Sequence, residues 1–208
     1  MDEGNEIYNR KKSITSTTDT LFNQQQIFPN ARAWNAETPN TYTLVVNTFD
    51  TQGNPLESFT HLFGFRTVEM HNGMQMINGK AVLFKGVNRH EHDPHKGRTI
   101  SVASMIHDIQ LMKQFNLNGV RNCHYPNYSA WYELCTEFGL YMVDEANIES
   151  HGMMDHKDGT LANYPDWELP FMQRMSRMIA RDRNYSAIVT WSMGNESGYG
   201  KHFETLYD

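Results

Sequence analysis

Trp191-Ser-Met-Gly-Asn-Glu-Ser-Gly198 is the stretch in which a short apolar segment turns abruptly into an adjacent carboxamide and carboxylic acid. The preceding residues 187–191 are mostly apolar, which is typical of a strand buried in a parallel sheet. Asn195 and Glu196 would then stand at the carboxyl end of that strand, where an α/β barrel keeps its active site. A carboxylic acid beside a carboxamide suits general-acid chemistry on a polar substrate. The stretch therefore predicts a barrel strand and a candidate catalytic residue.

Upstream of this stretch, short apolar segments alternate with segments in which apolar residues recur at helical spacing. This alternation predicts a parallel α/β unit, and both an open doubly wound sheet and the first half of a TIM (β/α)8 barrel fit it. No glycine-rich phosphate loop follows the first strand, which disfavours a dinucleotide-binding sheet. The predicted strands are 83–87, 118–121, 140–143 and 188–191, and the predicted helical faces are Val102, Met105, Ile106, Ile109 and Met112, then Trp131, Leu134, Cys135 and Phe138, then Phe171, Met175, Met178 and Ile179, with a fourth helix over 201–208.

The first third of the chain has a different pattern. Residues 1 to about 40 are polar, and two β-prone segments, 41–49 and 58–65, flank a turn rich in Asp, Gly, Asn and Pro. These segments predict the last strands of an immunoglobulin-like β-sandwich. Asn78-Gly79 predicts a second hairpin. We therefore divide the chain into a partial sandwich, 1–70, and a partial catalytic barrel with strands 1–4, 71–208, in which 152–168 is a long irregular connection.

Composition and charge exclude several classes of partner. The net charge of −6 argues against a nucleic acid or an anionic membrane surface. No apolar run reaches the length of a membrane span, and the polar N-terminus is unlike a secretory signal, which carries little weight for a fragment. A cytoplasmic location is the expectation. Cys123 and Cys135 are too few for a disulfide framework and are predicted to be packed free thiols.

Polar residues cluster after each predicted barrel strand. His90 follows the first strand, His124 the second, Glu149 and His151 the third, and Asn195 with Glu196 the fourth. In an extended segment Glu149 and His151 would point the same way, and their oxygen and imidazole donors suit Mg²⁺ or Mn²⁺. Arg121 is a candidate for a buried ion pair that holds carboxylates in place. The spacing His90-Glu91-His92 also leaves open a metal-binding tract or a metal-dependent amidohydrolase.

The same segments resemble the β-galactosidases of glycoside hydrolase family 2, from about residue 27 to the end of the chain. Two long signatures carry the resemblance, and shorter motifs at the first and third strand ends are similar to the galactosidase branch in particular. The signatures are Arg121-Asn-Cys-His-Tyr-Pro126 with Glu137-Phe-Gly-Leu-Tyr-Met-Val-Asp-Glu145, and Asp182-Arg-Asn-Tyr-Ser-Ala-Ile-Val-Thr-Trp-Ser-Met-Gly-Asn-Glu196; the shorter motifs are Asn88-Arg-His-Glu-His92, Asn147-Ile-Glu-Ser-His-Gly152, Trp34-Asn-Ala-Glu-Thr-Pro39 and Phe63-Gly-Phe-Arg66.

The resemblance implies hydrolysis of terminal β-galactose from galactosides such as lactose, with retention of configuration. Glu196 would be the general acid/base, and Asn195 would bind the sugar 2-hydroxyl. His90 and His124 would bind galactose hydroxyls or stabilise the transition state. Mg²⁺ would be held by the carboxylates of Glu149 and Glu196 with the imidazole of His151, and Mn²⁺ is the alternative. The two carboxylates of a retaining site lie about 5–5.5 Å apart.

The resemblance also implies that the chain is a fragment. The family's nucleophilic carboxylate should lie on a later strand, and the ligands of the family's Na⁺ also fall outside these residues. The isolated chain is therefore expected to be inactive and prone to aggregation, whereas the parent enzyme is expected to be a homo-oligomer. Two alternatives stay open at this point: a complementing or carbohydrate-binding subunit without activity of its own, and the metal-dependent amidohydrolase.

Overall fold

A computed structural model describes residues 5–14, 25–154, 156 and 159–207. The chain divides into two compact units, residues 1–31 and 32–208. In the described part of the first unit, the rings of Tyr8 and Phe28 meet edge to face with centroids 5.6 Å apart. The second unit contains all of the helices and strands described below. The predicted division at residue 70 stays a prediction.

The second unit begins with antiparallel β-structure. Strands β1 (Tyr42–Phe49) and β2 (Pro55–Phe63) form a hairpin, and Asp50 closes its turn by accepting hydrogen bonds from the Gln52 and Asn54 amides. Strands β3 (Val68–His71), β4 (Met74–Ile77) and β5 (Lys80–Ala81) form a separate small sheet. Asn78 and Gly79 both have positive φ, at 51° and 73°, which is why Asn-Gly predicts this hairpin correctly.

A four-stranded parallel sheet follows, within the described residues. Its strands are β6 (Gly86–Arg89), β7 (Gly119–Asn122), β8 (Tyr141–Glu145) and β9 (Ile188–Ser192), and their spatial order is their order along the chain. A doubly wound sheet reverses its strand order at a switch point, whereas a barrel adds each strand to the same edge. The sheet therefore confirms the prediction of half a TIM barrel and not of a doubly wound sheet.

Helices connect these strands, and one follows the last of them: α1 (Val102–Gln114), α2 (Ser129–Phe138), the short α3 (His151–Met154), α4 (Glu168–Asp182) and, after β9, α5 (Lys201–Tyr207). The predicted apolar faces of α1, α2 and α4 supply most of the buried residues of these helices. Two predicted face residues at helix ends, Val102 and Phe138, are exposed. Ser101 begins α1 by accepting a hydrogen bond from the Ser104 amide, and Gly139 ends α2 with φ of 75°. Among the described residues no helix combines the length and apolarity needed to cross a bilayer.

The small sheet and the segment before it pack against the start of β9. The Arg66 guanidinium donates to the carbonyls of Ser186, at 2.6 Å, and Ile188, and the Gln75 amide donates to the carbonyl of Val189 at 2.6 Å. Trp34 is fully buried and donates to the Thr136 carbonyl of α2 at 2.8 Å. These contacts cover the amino end of the parallel sheet, so its carboxyl end is the open one.

Three predicted segments need correction, and the bounds of the other predicted strands shift by two residues or fewer. The first barrel strand begins at Gly86 and not at residue 83, because Asn118 bonds the Lys85 amide and the Leu83 carbonyl outside the ladder. The returning strand of the first hairpin is Pro55–Phe63 and not 58–65. The connection 152–168 is less irregular than predicted, since α3 is followed by 3₁₀ turns at Leu161–Asn163 and Pro165–Trp167. Residues 155, 157 and 158 of that connection, and Asp208 of the fourth predicted helix, lie outside the described residues.

Asp144 of β8 is buried on the helix side of the sheet, opposite to its neighbour Glu145. It accepts hydrogen bonds from the Tyr132 hydroxyl at 2.8 Å and from the Asn122 amide at 3.1 Å. Burial, with the nearby carboxylate of Asp182, raises the pKa of Asp144 to about 7.

This raised pKa predicts a pH-dependent loss of stability. The unfolded chain releases the proton of Asp144 near pH 3.8, whereas the folded chain holds it until about pH 7. The stabilisation is therefore complete below pH 3.8 and is lost as pH rises through about 7. We expect Asp144→Asn to flatten this decline in the thermal midpoint of the full-length protein. Asp166→Asn, at an exposed position, should leave the decline unchanged, and an equally steep decline in Asp144→Asn would contradict the assignment.

Candidate active site

The polar residues after the four parallel strands gather at the open carboxyl end of the sheet. His90 directly follows β6, and His124 lies two residues after β7. Glu149 follows β8, and Asn195 with Glu196 follows β9; an isolated parallel bridge joins Glu149 to Asn195. An open cavity of about 720 Å³ is lined by the segment 193–199, which includes Asn195 and Glu196, together with residues of α5. Of the predicted site residues, Asn195 and Glu196 line this cavity, whereas His90, His124, Glu149 and His151 do not.

Arg121 and Glu145 form the centre of this arrangement. The guanidinium donates in a fork to both carboxylate oxygens of Glu145, from Nε at 2.7 Å and from Nη2 at 2.9 Å. Glu145 is fully buried, and the Ser192 hydroxyl also donates to it at 2.6 Å. Burial opposes ionisation, but the hydrogen bonds from Arg121, Ser192 and His124 prevail and lower the pKa of Glu145. The ion pair of Arg121 and Glu145 therefore holds two opposite charges in place beneath the strand ends.

His124 is oriented by the same carboxylate. Its Nδ1 lies 2.7 Å from Glu145 Oε1 and 3.2 Å from Arg121 Nη2. Since a guanidinium can only donate and a carboxylate can only accept, the shorter contact assigns the proton to Nδ1. This leaves Nε2 of His124 as the nitrogen available to a bound group. The ring of His90, which is exposed, meets that of His124 edge to face, with centroids 5.3 Å apart.

Asn195 connects the central ion pair to the third strand end. Its Oδ1 accepts from Arg121 Nη2 at 2.8 Å, and its Nδ2 donates to Glu149 Oε1 at 3.1 Å. The backbone amide of Asn195 donates to the Ile148 carbonyl at 2.8 Å. Both the side chain and the backbone are thus held, and the carboxamide orientation follows from its partners.

Glu196 reaches the neighbouring loop instead of the central pair. Its Oε2 lies 2.6 Å from Nδ1 of His151, and both side chains are about half exposed. The φ of Glu196 is 39°, in the left-handed region that costs a non-glycine residue energy unless its surroundings impose it. Gly194, two residues earlier, has a φ of 147°, and a Cβ added to it would stand 2.4 Å from the Ile148 carbonyl oxygen. The turn after β9 therefore aims Glu196 toward the open cavity.

The geometry differs in one respect from the predicted metal set. Glu149 and His151 do not share one extended segment, because Glu149 lies in the bridge to Asn195 and His151 begins α3. Glu149 Oε1 accepts from Asn195, and Nδ1 of His151 contacts Glu196, so the three side chains do not form a group whose donor atoms all lie within 4.8 Å of one another. Two carboxylates and one imidazole nevertheless form a donor set that suits Mg²⁺, which usually retains several waters.

Within the described residues, the group whose donor atoms do lie within 4.8 Å of one another is His90, Cys123 and His124. It differs from the tract predicted from the spacing His90-Glu91-His92, because His92 is not in it. Cys123 and Cys135 are both buried free thiols, as predicted, and burial raises the pKa of each.

The sequence predicted an ion-pair role for Arg121 but no role for its partner, Glu145. Glu145 and Ser192 are the residues that it missed. A signal was available for Glu145, since an acid as the last residue of an otherwise buried strand needs a partner. Ser192 carries no comparable signal, because a serine at a strand end is common in any fold.

Comparison with known proteins agrees with this architecture. Residues 68–208 match the family described as glycosyl hydrolases family 2, TIM barrel domain, and residues 1–66 match glycosyl hydrolases family 2. A curated beta-galactosidase of Pseudoalteromonas haloplanktis is 51% identical over 176 residues, which are 85% of this chain and 17% of that protein. The beta-galactosidase of Photobacterium profundum is 44% identical over 200 residues, or 96% of this chain and 19% of the relative. The chain thus spans less than a fifth of these curated relatives.

Similar solved structures include two β-glucuronidases. The β-glucuronidase of Ruminococcus gnavus in complex with D-glucaro 1,5-lactone aligns with a TM-score of 0.76 and 27% identity, covering 86% of this chain and 31% of that one. The β-glucuronidase of Bifidobacterium dentium complexed with coumarin-3-O-glucuronide gives a TM-score of 0.71 and 32% identity, covering 80% of this chain and 26% of that one.

Proposed function

Because the chain belongs to glycoside hydrolase family 2, we propose that it supplies the acid/base half of a retaining β-galactosidase site. The observation that carries the proposal is the position of Glu196, which leaves the fourth barrel strand beside Asn195 and faces an open cavity. The identity of 44–51% to curated beta-galactosidases supports galactosides over the glucuronides of the more distant structural neighbours. Family membership also favours a glycosidase over the amidohydrolase that His90-Glu91-His92 left open.

In this proposal Glu196 protonates the glycosidic oxygen as the bond to the leaving group breaks. It then removes a proton from the water that releases the sugar, as acid and base alternate in a retaining mechanism. The exposed side chain of Glu196 and its 2.6 Å contact with His151 Nδ1 support this role, because a proton donor must reach both substrate and solvent.

Asn195 is proposed to bind the sugar 2-hydroxyl. The contacts to Arg121 and Glu149 orient its carboxamide before the substrate arrives, so the side chain loses little further conformational entropy at the transition state. His124, fixed through Nδ1 by Glu145, offers Nε2 to a substrate hydroxyl, and the exposed ring of His90 lies beside it. Both histidines are proposed substrate-binding residues.

Glu149, His151 and Glu196 are proposed to hold Mg²⁺, with Mn²⁺ as the alternative, and the donor chemistry of the three side chains supports this. A bound divalent cation would add positive charge where negative charge develops during bond cleavage. The Na⁺ expected for the family has no proposed ligands among these residues.

We further propose that the nucleophilic carboxylate comes from outside residues 1–208. A retaining site needs a second carboxylate about 5–5.5 Å from the first, on the opposite side of the scissile bond. Glu145, the other carboxylate at the centre of the site, is fully buried and bound by Arg121, Ser192 and His124, which makes it unsuitable as a nucleophile.

The proposed function predicts the substrate and metal dependence of the full-length protein. We expect hydrolysis of a chromogenic β-galactoside, little hydrolysis of the matching β-glucuronide, and no hydrolysis of either by residues 1–208 alone. Treatment with EDTA should lower the rate, and added Mg²⁺ should restore it. A preference for the glucuronide, or hydrolysis by the isolated 1–208 chain, would overturn the respective part of the proposal.

A further inference from the structure

His90, Cys123 and His124 bring three metal-ligating side chains together at the ends of the neighbouring strands β6 and β7. Their donor atoms all lie within 4.8 Å of one another. In a tetrahedral zinc site, bonds of about 2.0–2.3 Å place the ligands roughly 3.3–3.8 Å apart. The group therefore needs shifts of about 1 Å to close around an ion, and the exposed ring of His90 is free to make such a shift.

The donor types select the class of cation. A thiolate and two imidazoles favour a borderline or soft ion such as Zn²⁺ or Cd²⁺, whereas Mg²⁺ prefers sites that supply carboxylate oxygens. This set contains no carboxylate, so it differs chemically from Glu149, His151 and Glu196. Three protein ligands leave the fourth tetrahedral position open on the solvent side, where His90 is exposed.

The surroundings of His124 are also those of a metal ligand. Histidines that bind metals commonly donate their second nitrogen to a carboxylate, which fixes the ring and its tautomer. Glu145 does this for His124 through Nδ1 at 2.7 Å and leaves Nε2 available. The positive charge of Arg121 is matched by the same carboxylate, so it does not present an uncompensated charge to an incoming cation.

We propose that His90, Cys123 and His124 form a binding site for a thiophilic divalent cation, represented by Zn²⁺, which inhibits the enzyme when it binds. Inhibition follows because the ion occupies the imidazoles of His90 and His124 that the substrate needs. The binding half of this inference stands on the three side chains alone. The inhibitory half rests on the proposed function of the two histidines.

Inhibition is tested in the full-length protein with Mg²⁺ kept in excess, so that oxygen-rich sites are occupied. We expect Zn²⁺ to inhibit β-galactoside hydrolysis in competition with substrate. Cys123→Ala should keep basal activity and raise the Zn²⁺ concentration for half inhibition at least about tenfold, the smallest loss typical of a disturbed metal site. Cys135→Ala is the matched control, since Cys135 is a buried free thiol outside the group. Equal sensitivity of the Cys123 variant and the unmodified protein would overturn the proposal.

Binding is tested separately by titrating the unmodified full-length protein with Co²⁺, which needs no variant to fold. A thiolate-to-cobalt charge-transfer band that is displaced by Zn²⁺ is the expected result, and it should be absent from Cys123→Ala. Saturation without that band would exclude Cys123 as a ligand and overturn the site. A charge-transfer band without inhibition would establish the site, overturn its inhibitory role, and remove His90 and His124 from substrate binding.

Discussion

Glu196→Gln should lower the rate of β-galactoside hydrolysis by the full-length protein about 10²–10⁴-fold, the contribution typical of a positioned general acid or base. Glutamine keeps the shape of the side chain and its contact with His151 but cannot give up a proton. The variant should therefore fold normally, with the loss mainly in kcat. The measurement is kcat with a chromogenic β-galactoside, and an unchanged rate would remove Glu196 from the acid role.

The choice of leaving group distinguishes an acid catalyst from a residue that only shapes the site. In Glu196→Gln, the rate of bond breaking should fall much less for a galactoside whose leaving group needs no protonation than for an alkyl galactoside. Added azide, a nucleophile that needs no general base, should then restore turnover of the activated substrate. Glu57→Gln, at an exposed position of β2, is the matched control and should behave as the unmodified protein.

Arg121→Met should have the largest effect on stability, about 3 kcal/mol or more. Removing one partner of a buried ion pair leaves an uncompensated charge and typically costs roughly 3–5 kcal/mol. We place the loss at the lower end because the Arg121 side chain is 29% exposed, although Glu145 is fully buried. The thermal midpoint of the full-length protein is the measurement. Activity should fall as well, since Arg121 also holds Asn195.

A double-mutant cycle tests whether the loss comes from the stranded carboxylate. Arg121→Met combined with Glu145→Leu should recover part of the stability, because replacing both charges by apolar groups is far cheaper than removing one. Arg121→Lys should restore less of the lost stability than the double variant does, because an ammonium cannot reproduce the two hydrogen bonds of the guanidinium at 2.7 and 2.9 Å. Additive losses in the double variant would contradict a direct coupling between the two residues.

Much of the fold could be predicted because it depends on patterns that lie close together in the sequence. The helix faces of α1, α2 and α4 follow from spacing along one helix, and the turn at Asn78-Gly79 follows from two residues that tolerate positive φ. The start of β6 at Gly86 was harder to predict, because it depends on a hydrogen bond from the Lys85 amide to Asn118, which lies in another segment. The predicted cytoplasmic location and homo-oligomeric assembly stay predictions.

The sequence predicted which polar residues follow the strands, but it did not predict how they pair, and it gave no role to Glu145 or Ser192. Local spacing grouped Glu149 with His151, and only the resemblance added Glu196 to them. In the structure His151 contacts Glu196, 45 residues further on. Glu149 instead meets Asn195, and Glu145 becomes the shared partner of Arg121, His124 and Ser192. No local spacing contains these contacts.

The sequence by itself determined that polar side chains stand at the carboxyl ends of parallel strands, because strand length and helical period are local properties of the chain. Only the tertiary structure decided which of those side chains touch. Hydrogen bonds and metal coordination depend on differences of less than about 1 Å between loops from separate strands. Such differences are set by the twist and register of the whole sheet. In this sheet they place Glu196 beside His151, and Cys123 beside the imidazoles of His90 and His124.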